Sequence, residues 1–315
     1  MSSLQVLDSV RLNFNQGSLT VMNVILAFVM FGIALQMNVS DFRDMIRNPK
    51  SFMVGVISQI LLLPFVTFLL CMALRPILSQ SVAMGMILVA ACPGGNISNF
   101  ITTLAKGNIP LSVSLSALST LTCVMITPFN FSFWGNLYSN ASKLVMPIEI
   151  DFWEMARVVL ILLGVPIVLG ILFARYFPKA AKKLIKPMSI LSTAAFIGFI
   201  VAALAANFGY FMKYIHLIGL IVILHNAAAL ITGNGIGRLA HLPKPDLRSV
   251  TIETGIQNSG LGLVLIFNPR LFDGLGGMAF VAAWWGVWHI ISGMGLAYLW
   301  RWKDRRGERK AKSAP

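Results

Sequence analysis

The sequence predicts an all-α protein that crosses a membrane several times, and three observations support this fold class. Hydrophobic residues make up 57% of the 315-residue chain and charged residues only 11%, whereas soluble domains carry roughly 25% charged residues. The mean hydropathy is +0.79. The apolar residues are gathered into runs of about twenty, the length that a helix needs to cross a bilayer. These features predict a polytopic helical membrane protein.

Nine apolar runs are expected to be transmembrane helices. In chain order they cover residues 20–38, 52–74, 81–104, 109–131, 153–174, 187–207, 214–237, 249–268 and 277–300. The predicted organisation is an N-terminal segment (1–19), a first repeat of four spans (20–131), an outer loop (132–152), a second repeat of five spans (153–300) and a basic tail (301–315). The stretch ARYFPKAAKKLIKP is predicted to be an inner loop between the repeats.

The distribution of basic residues predicts the orientation of the spans. With the N-terminus outside, nineteen of the 25 Lys and Arg residues fall on the inner side and six on the outer side. This is the asymmetry that the positive-inside rule describes, and it places the C-terminus in the cytoplasm. The tail RWKDRRGERKAK is therefore interpreted as a topology anchor that contacts anionic lipid, so the net charge of +14 implies no nucleic-acid partner.

Two of the predicted spans are interrupted by polar residues and helix breakers. The third span is expected to break at 92–99, where the sequence reads CPGGNISN. Proline removes a backbone donor, and paired glycines ease departure from helical geometry. The eighth span is expected to break near 253–260, where it carries Glu253, Gln257 and Asn258. A carboxylate inside a span usually marks a functional site.

The positions of the two breaks predict inverted repeats. Each broken span is followed by one further span of its half, and an odd number of steps separates the two broken spans. They therefore cross the membrane in opposite directions, as in secondary transporters. Carboxylate, hydroxyl, amide and carbonyl oxygens at one depth suit a hard monovalent cation such as Na⁺. Two Na⁺ ions beside one glutamate would leave one positive charge for a bound monoanion to neutralise.

At these motifs the chain resembles the bile acid:sodium symporter family in its nine-span form. The similarity lies in ACPGGNISNFITTLAKGNIPLSVSLSALST and ETGIQNSGLG, with further support from GVISQILLLP and WHIISG. The resemblance implies a core domain with two discontinuous, crossing helices, a panel domain, and alternating access between the two domains. It also implies two sodium ions and a small organic anion as substrate, in the cell's inner or plasma membrane.

The resemblance further implies which residues bind these ligands. The first sodium site would comprise Ser98, Asn99, Ser112, Ser116 and Glu253. The second would comprise Gln59, Glu253, Gln257 and the carbonyl groups of Thr254 and Ile256. The substrate candidates are Asn96, Asn258 and His289. Ser116 stands where many relatives have threonine, and Ile290 where bacterial relatives often have asparagine.

Three other functions are weighed against sodium symport. A proton-coupled anion carrier could use Glu253, but it would not require the surrounding hydroxyl and amide groups. An ion channel would need polar residues along several spans, whereas here they concentrate at one depth. An enzyme would need a nucleophile with a partnered base or a metal site, and the sequence contains no such motif. We therefore expect transport without catalysis, and the sequence predicts no oligomeric state.

Overall fold

The computed structural model describes residues 4–10, 16–35, 49–95, 97–142, 151–206, 208–272 and 274–312. Within these ranges the chain is nearly all helical. The helices are α1 (Gln16–Ala34), α2 (Pro49–Ala73), α3 (Gln80–Ala91), α4 (Ile97–Leu104), α5 (Ile109–Ser142), α6 (Phe152–Tyr176), α7 (Pro178–Ala206), α8 (Phe208–Leu239), α9 (Lys244–Gly255), α10 (Ser259–Phe267) and α11 (Gly276–Lys312). A short 3₁₀ turn, Gln5–Asp8, precedes α1.

Five helices in the described part of the chain are long and apolar enough to cross a membrane. They are Pro49–Ala73, Ile109–Ser142, Phe152–Tyr176, Ile218–Leu239 and Gly276–Gly307. Exposed apolar side chains follow the helical spacing on α2, at Ile57, Leu61, Phe65 and Leu69. Such continuous apolar faces suit a hydrocarbon environment. The structure is that of a polytopic helical membrane protein.

Helix α3 forms the centre of the packing, since every residue from Ser81 to Ala91 is buried. Its close contact with α11 depends on Gly85. A Cβ atom at Gly85 would lie 2.8 Å from the Met278 Cα, which is too close for any side chain. The two backbones therefore approach directly, as small residues allow between membrane helices.

Two helical interruptions meet at the middle of the fold. One lies between α3 and α4, and the other between α9 and α10. The Gly95 amide donates to the Ile256 carbonyl at 2.9 Å, and the Asn258 amide donates to the Pro93 carbonyl at 2.8 Å. Gly94 and Gln257 form an antiparallel bridge between them. Each interruption thus supplies hydrogen-bond partners for backbone groups that the other leaves outside a helix.

Several helices extend beyond the apolar runs that predicted them. Helix α5 continues to Ser142, into the predicted outer loop, of which residues 143–150 lie outside the described ranges. Only Phe177 separates α6 from α7, so most of the predicted inner loop is helical. The predicted tail is also helical to Lys312. The apolar run indicates the part of a helix suited to lipid, whereas the helix itself ends only where its backbone hydrogen bonds end.

Candidate functional site

Glu253 lies near the end of α9, two residues before the helix stops, and is 1% exposed. Its carboxylate accepts hydrogen bonds from serines of two other helices. The Ser98 hydroxyl of α4 donates to Oε1 at 2.6 Å, and the Ser116 hydroxyl of α5 donates to Oε2 at 2.9 Å. Ser112, one turn earlier on α5, also donates to Oε1. Three hydroxyl groups therefore surround one buried carboxylate.

The remaining residue of the first predicted group, Asn99, joins this cluster through Ser112. Its Oδ1 lies 2.8 Å from the Ser112 hydroxyl. The Thr102 hydroxyl lies 3.1 Å from the Ser112 hydroxyl, and both of these residues are fully buried. Thr102 was missed by the sequence analysis, although it lies four residues after Ser98 and hence on the same face of α4. The structure brings all five predicted residues together and adds Thr102.

Gln59 and Glu253 approach each other over Gly94, in the interruption after α3. A Cβ atom at Gly94 would lie 2.8 Å from Gln59 Nε2, 3.1 Å from Glu253 Oε2 and 3.5 Å from Ser119 Oγ. Ser119 also accepts a hydrogen bond from the Gly94 amide at 3.2 Å. The absence of a side chain at Gly94 therefore leaves space that three polar groups border. Ser119 was not predicted, although it continues the spacing of Ser112 and Ser116 along α5.

The other members of the second predicted group surround the end of α9. Gln257 donates through Nε2 to the Thr254 carbonyl at 2.9 Å, while its buried Oε1 has no hydrogen-bond partner among the described residues. The Ile256 carbonyl accepts from the Gly95 amide. A carbonyl oxygen has two lone pairs, so Thr254 and Ile256 each retain the capacity to bind a cation.

A π-helical stretch in α2, Ile57–Leu62, holds Gln59 at this position. Pro64 has no N–H group, so the Ile60 carbonyl lacks its α-helical donor. The Asn130 side chain of α5 supplies one, with its Nδ2 donating to that carbonyl at 3.0 Å. Short π-helical stretches inside α-helices are frequent at functional sites. Asn130 was not identified from the sequence.

The predicted substrate residues are less closely gathered than the sodium candidates. Asn96 lies outside the described residues. Asn258 caps α10, since its Oδ1 accepts from the Leu261 amide at 3.0 Å. His289 of α11 is buried, but no hydrogen bond within the described ranges joins it to Glu253 or Asn258. Asn226 of α8, whose side chain donates to the Gly255 carbonyl at 2.8 Å, is a further polar contact at the end of α9.

The donor set favours a hard monovalent cation. It consists of one carboxylate with hydroxyl, amide and carbonyl oxygens, which are the ligands of alkali and alkaline-earth ions. Among the residues that the structure describes, no group of three His, Cys, Asp or Glu could hold a metal, and no salt bridge engages Glu253. A single negative charge surrounded by neutral oxygens is better matched to Na⁺ than to a divalent ion.

Comparison with known proteins agrees with this chemistry. Residues 23–231 match the family model described as the sodium bile acid symporter family. The chain is 32% identical over 294 residues to an uncharacterized sodium-dependent transporter of Bacillus subtilis (strain 168). This alignment covers 92% of this chain and 86% of that relative.

A plant protein and a human protein are also similar to this chain. A probable chloroplastic sodium/metabolite cotransporter of Oryza sativa subsp. japonica is 30% identical over 287 residues, covering 88% of this chain and 62% of the relative's own length. The ileal sodium/bile acid cotransporter of Homo sapiens is 28% identical over 256 residues, covering 80% of this chain and 71% of the relative. These relatives are transporters and not enzymes. The chain belongs to the sodium bile acid symporter family.

Proposed function

We propose that the protein couples the inward movement of sodium to the uptake of a small organic anion. The observation that carries this proposal is the buried carboxylate of Glu253, surrounded by serine hydroxyls beside the point where the two helical interruptions meet. The names of the relatives, which pair sodium with metabolites or bile acids, support the same function. The substrate class is bile acids or smaller carboxylates.

Two sodium ions are proposed, one for each group of oxygen donors. The first ion binds Ser98, Asn99, Ser112, Ser116 and Glu253. The second binds Gln59, Glu253, Gln257 and the carbonyl groups of Thr254 and Ile256. Together the ions carry one positive charge more than Glu253 neutralises. That excess favours binding of a monoanion close by, so ion binding and anion binding stabilise each other.

The anion is proposed to bind where α4 and α10 begin. Helix N-termini carry partial positive charge and unpaired N–H groups, and both favour anions. Asn96 precedes α4, and Asn258 caps α10. His289 is the third candidate, acting as a polar contact from α11.

Transport is proposed to follow alternating access in the cell membrane. The chain would cross nine times, with the N-terminus outside and the C-terminus in the cytoplasm, as the basic residues predict. The two halves would form inverted repeats, and a core domain containing both broken helices would move against a panel domain. Ligands shift the two states only by their difference in affinity for them.

Sodium binding is tested directly by thermal unfolding of the purified protein in NaCl and in matched KCl. A ligand that binds the folded state stabilises it by about 2.7 kcal/mol at a hundred times its dissociation constant. We expect a sodium-specific rise in Tm for the wild type and none for Glu253→Ala. Glu154→Ala is the matched control, because Glu154 is a partly exposed carboxylate at the start of α6. Equal responses to both salts, with a response to pH instead, would favour the proton-coupled carrier.

A further inference from the structure

A small cavity lies on one side of Gln59, between α2, the end of α3 and α5. Its volume is about 10 Å³, which is room for one water-sized particle. Its lining includes Gln59, Ser119, Thr122, Thr127 and Asn130, together with residues 90–93 at the end of α3. None of Thr122, Thr127 and Asn130 belongs to the two proposed sodium sites.

Two polar groups in the lining of this cavity are buried without a protein partner. Gln59 Nε2 and Thr127 Oγ1 make no hydrogen bond to any described residue, although Gln59 is 4% and Thr127 1% exposed. Thr122 provides the contrast on the same helix, since its hydroxyl donates to the Leu118 carbonyl at 2.8 Å. Buried polar groups are nearly always paired, so unpaired ones lining a cavity indicate a polar occupant.

The surroundings of the cavity favour a cation as that occupant. Helix α3 ends there at Ala91, and the C-terminal end of a helix carries partial negative charge. Gln59 and Ser119 border both the cavity and the space over Gly94 that Glu253 Oε2 reaches. No Lys or Arg is among the residues that line it. The amide of Gln59 can present its oxygen to a cation by a rotation of its terminal torsion.

We propose that this cavity is a staging site for one sodium ion on its way to Glu253. The inference rests on the proposed function, because it assumes that sodium binds at Glu253 and that α2 and α5 run from the inner to the outer face. In that orientation Thr127 and Asn130 lie on the outer side of Ser116. An ion entering from outside would exchange water for the oxygens of Thr127, Gln59 and Ser119 before it reaches the carboxylate.

Thr127→Val tests the proposal, since it removes the hydroxyl while keeping nearly the same shape. Binding and release of radioactive sodium are followed by rapid filtration. The midpoint, which is the sodium concentration at half-saturation of equilibrium binding, is measured on the same samples. We expect both rates to fall about tenfold, as for the loss of one strong interaction with a charge, while the midpoint stays within about twofold. Thr127→Ser, which retains the hydroxyl, should restore the wild-type rates.

Thr120→Val is the matched control, because Thr120 is buried on the same helix but does not line the cavity. Folding is checked by the melting temperature, which should not fall in Thr127→Val because the lost hydroxyl has no protein partner. Wild-type rates in Thr127→Val would overturn the staging site. So would a weakened midpoint with unchanged association, since that would place Thr127 in the final site. If the wild type showed no sodium-specific binding, the proposed function itself would fail, and the inference with it.

Discussion

At the scale of single residues, the proposed sodium binding depends on hydroxyl groups that converge on Glu253. Ser98, Ser112 and Ser116 come from two helices, and each donates to the same carboxylate. A serine oxygen that donates its proton to a carboxylate still has lone pairs for a cation. In the proposed first sodium site, each serine could therefore contact the ion while it still donates to Glu253.

Ser116 offers a test of this arrangement. Ser116→Ala should weaken sodium binding about tenfold, because it removes one oxygen that contacts the charged centre. Ser116→Thr should remain within about twofold of the wild type, because it keeps the hydroxyl group. Both affinities are read from the sodium dependence of Tm. Equal losses in the two variants would indicate that packing, and not the hydroxyl, is what matters at this position.

A substitution at Gly94 tests whether the space between Gln59 and Glu253 is needed for sodium binding. A Cβ atom there would lie 2.8 Å from Gln59 Nε2 and 3.1 Å from Glu253 Oε2. We expect Gly94→Ala to fold but to show a smaller sodium-specific rise in Tm than the wild type, because the methyl group occupies the space between these two side chains and leaves the serine hydroxyls around Glu253 in place. Gly295→Ala is the control, since a Cβ atom at Gly295 meets nothing within 4 Å. An undiminished sodium-specific rise in Tm in Gly94→Ala would argue against a second ion at Gln59.

At the scale of secondary-structure elements, the irregular segments position the site. The interruptions between α3 and α4 and between α9 and α10 satisfy each other's backbone groups. The π-helical stretch of α2 instead relies on a side chain, because Pro64 cannot donate to the Ile60 carbonyl and Asn130 does so. Each of these three departures from α-helical geometry thus has an identifiable partner elsewhere in the fold.

A double-mutant cycle can measure the contribution of Asn130 to this stretch. Asn130→Ala removes the side-chain amide that donates to the Ile60 carbonyl, at a cost of about 1–3 kcal/mol in unfolding free energy. In a Pro64→Ala background the new amide can donate to that carbonyl, so the same substitution should cost less. Thermal unfolding of the four proteins gives the coupling, with Asn136→Ala, an exposed position on α5, as the control. If the effects of Asn130→Ala and Pro64→Ala on the unfolding free energy were simply additive, the Ile60 carbonyl would not be the acceptor that the two positions share.

At the scale of the whole molecule, polar contacts join the start of α9 to three distant parts of the chain. Asp246 accepts from Ser51 of α2 at 2.5 Å and from Asn108, just before α5, at 2.8 Å. Arg248 donates to the Ala105 carbonyl at 2.8 Å and pairs with Asp304 of α11 at 2.8 Å. The helix that carries Glu253 is therefore anchored at its far end to α2, to the turn between α4 and α5, and to α11.

The two cations that contact Asp304 should differ in their effect on stability. The Arg248 side chain is 6% exposed, whereas that of Lys244 is 67% exposed. Asp304→Ala leaves Arg248 buried without its counter-ion and should cost up to about 3 kcal/mol. Lys244→Ala should cost under about 1 kcal/mol, because exposed ion pairs contribute little. Thermal unfolding of the two variants measures these losses of stability. Similar losses in Asp304→Ala and Lys244→Ala would show that the ion pair of Arg248 stabilises the fold no more than that of Lys244.

The sequence by itself determined the features that act locally. Hydrophobic run length predicts helices suited to a membrane, and Pro93 with its neighbouring glycines indicates where one helix stops, because both act through the backbone of a few adjacent residues. The polar run after Glu253 likewise marked the second interruption. These signals depend on nothing distant in the chain.

Only the tertiary structure decided which side chains meet at Glu253. Ser98 is 155 residues from Glu253 in the sequence and Ser116 is 137, so no local period relates them, and their assignment to one site came from family resemblance. Thr102, Ser119, Thr127 and Asn130 look like ordinary helical residues in the sequence. They acquire their significance because the packing of α2, α3, α4 and α5 places them beside Ser112, Gly94, the cavity next to Gln59 and the Ile60 carbonyl, respectively.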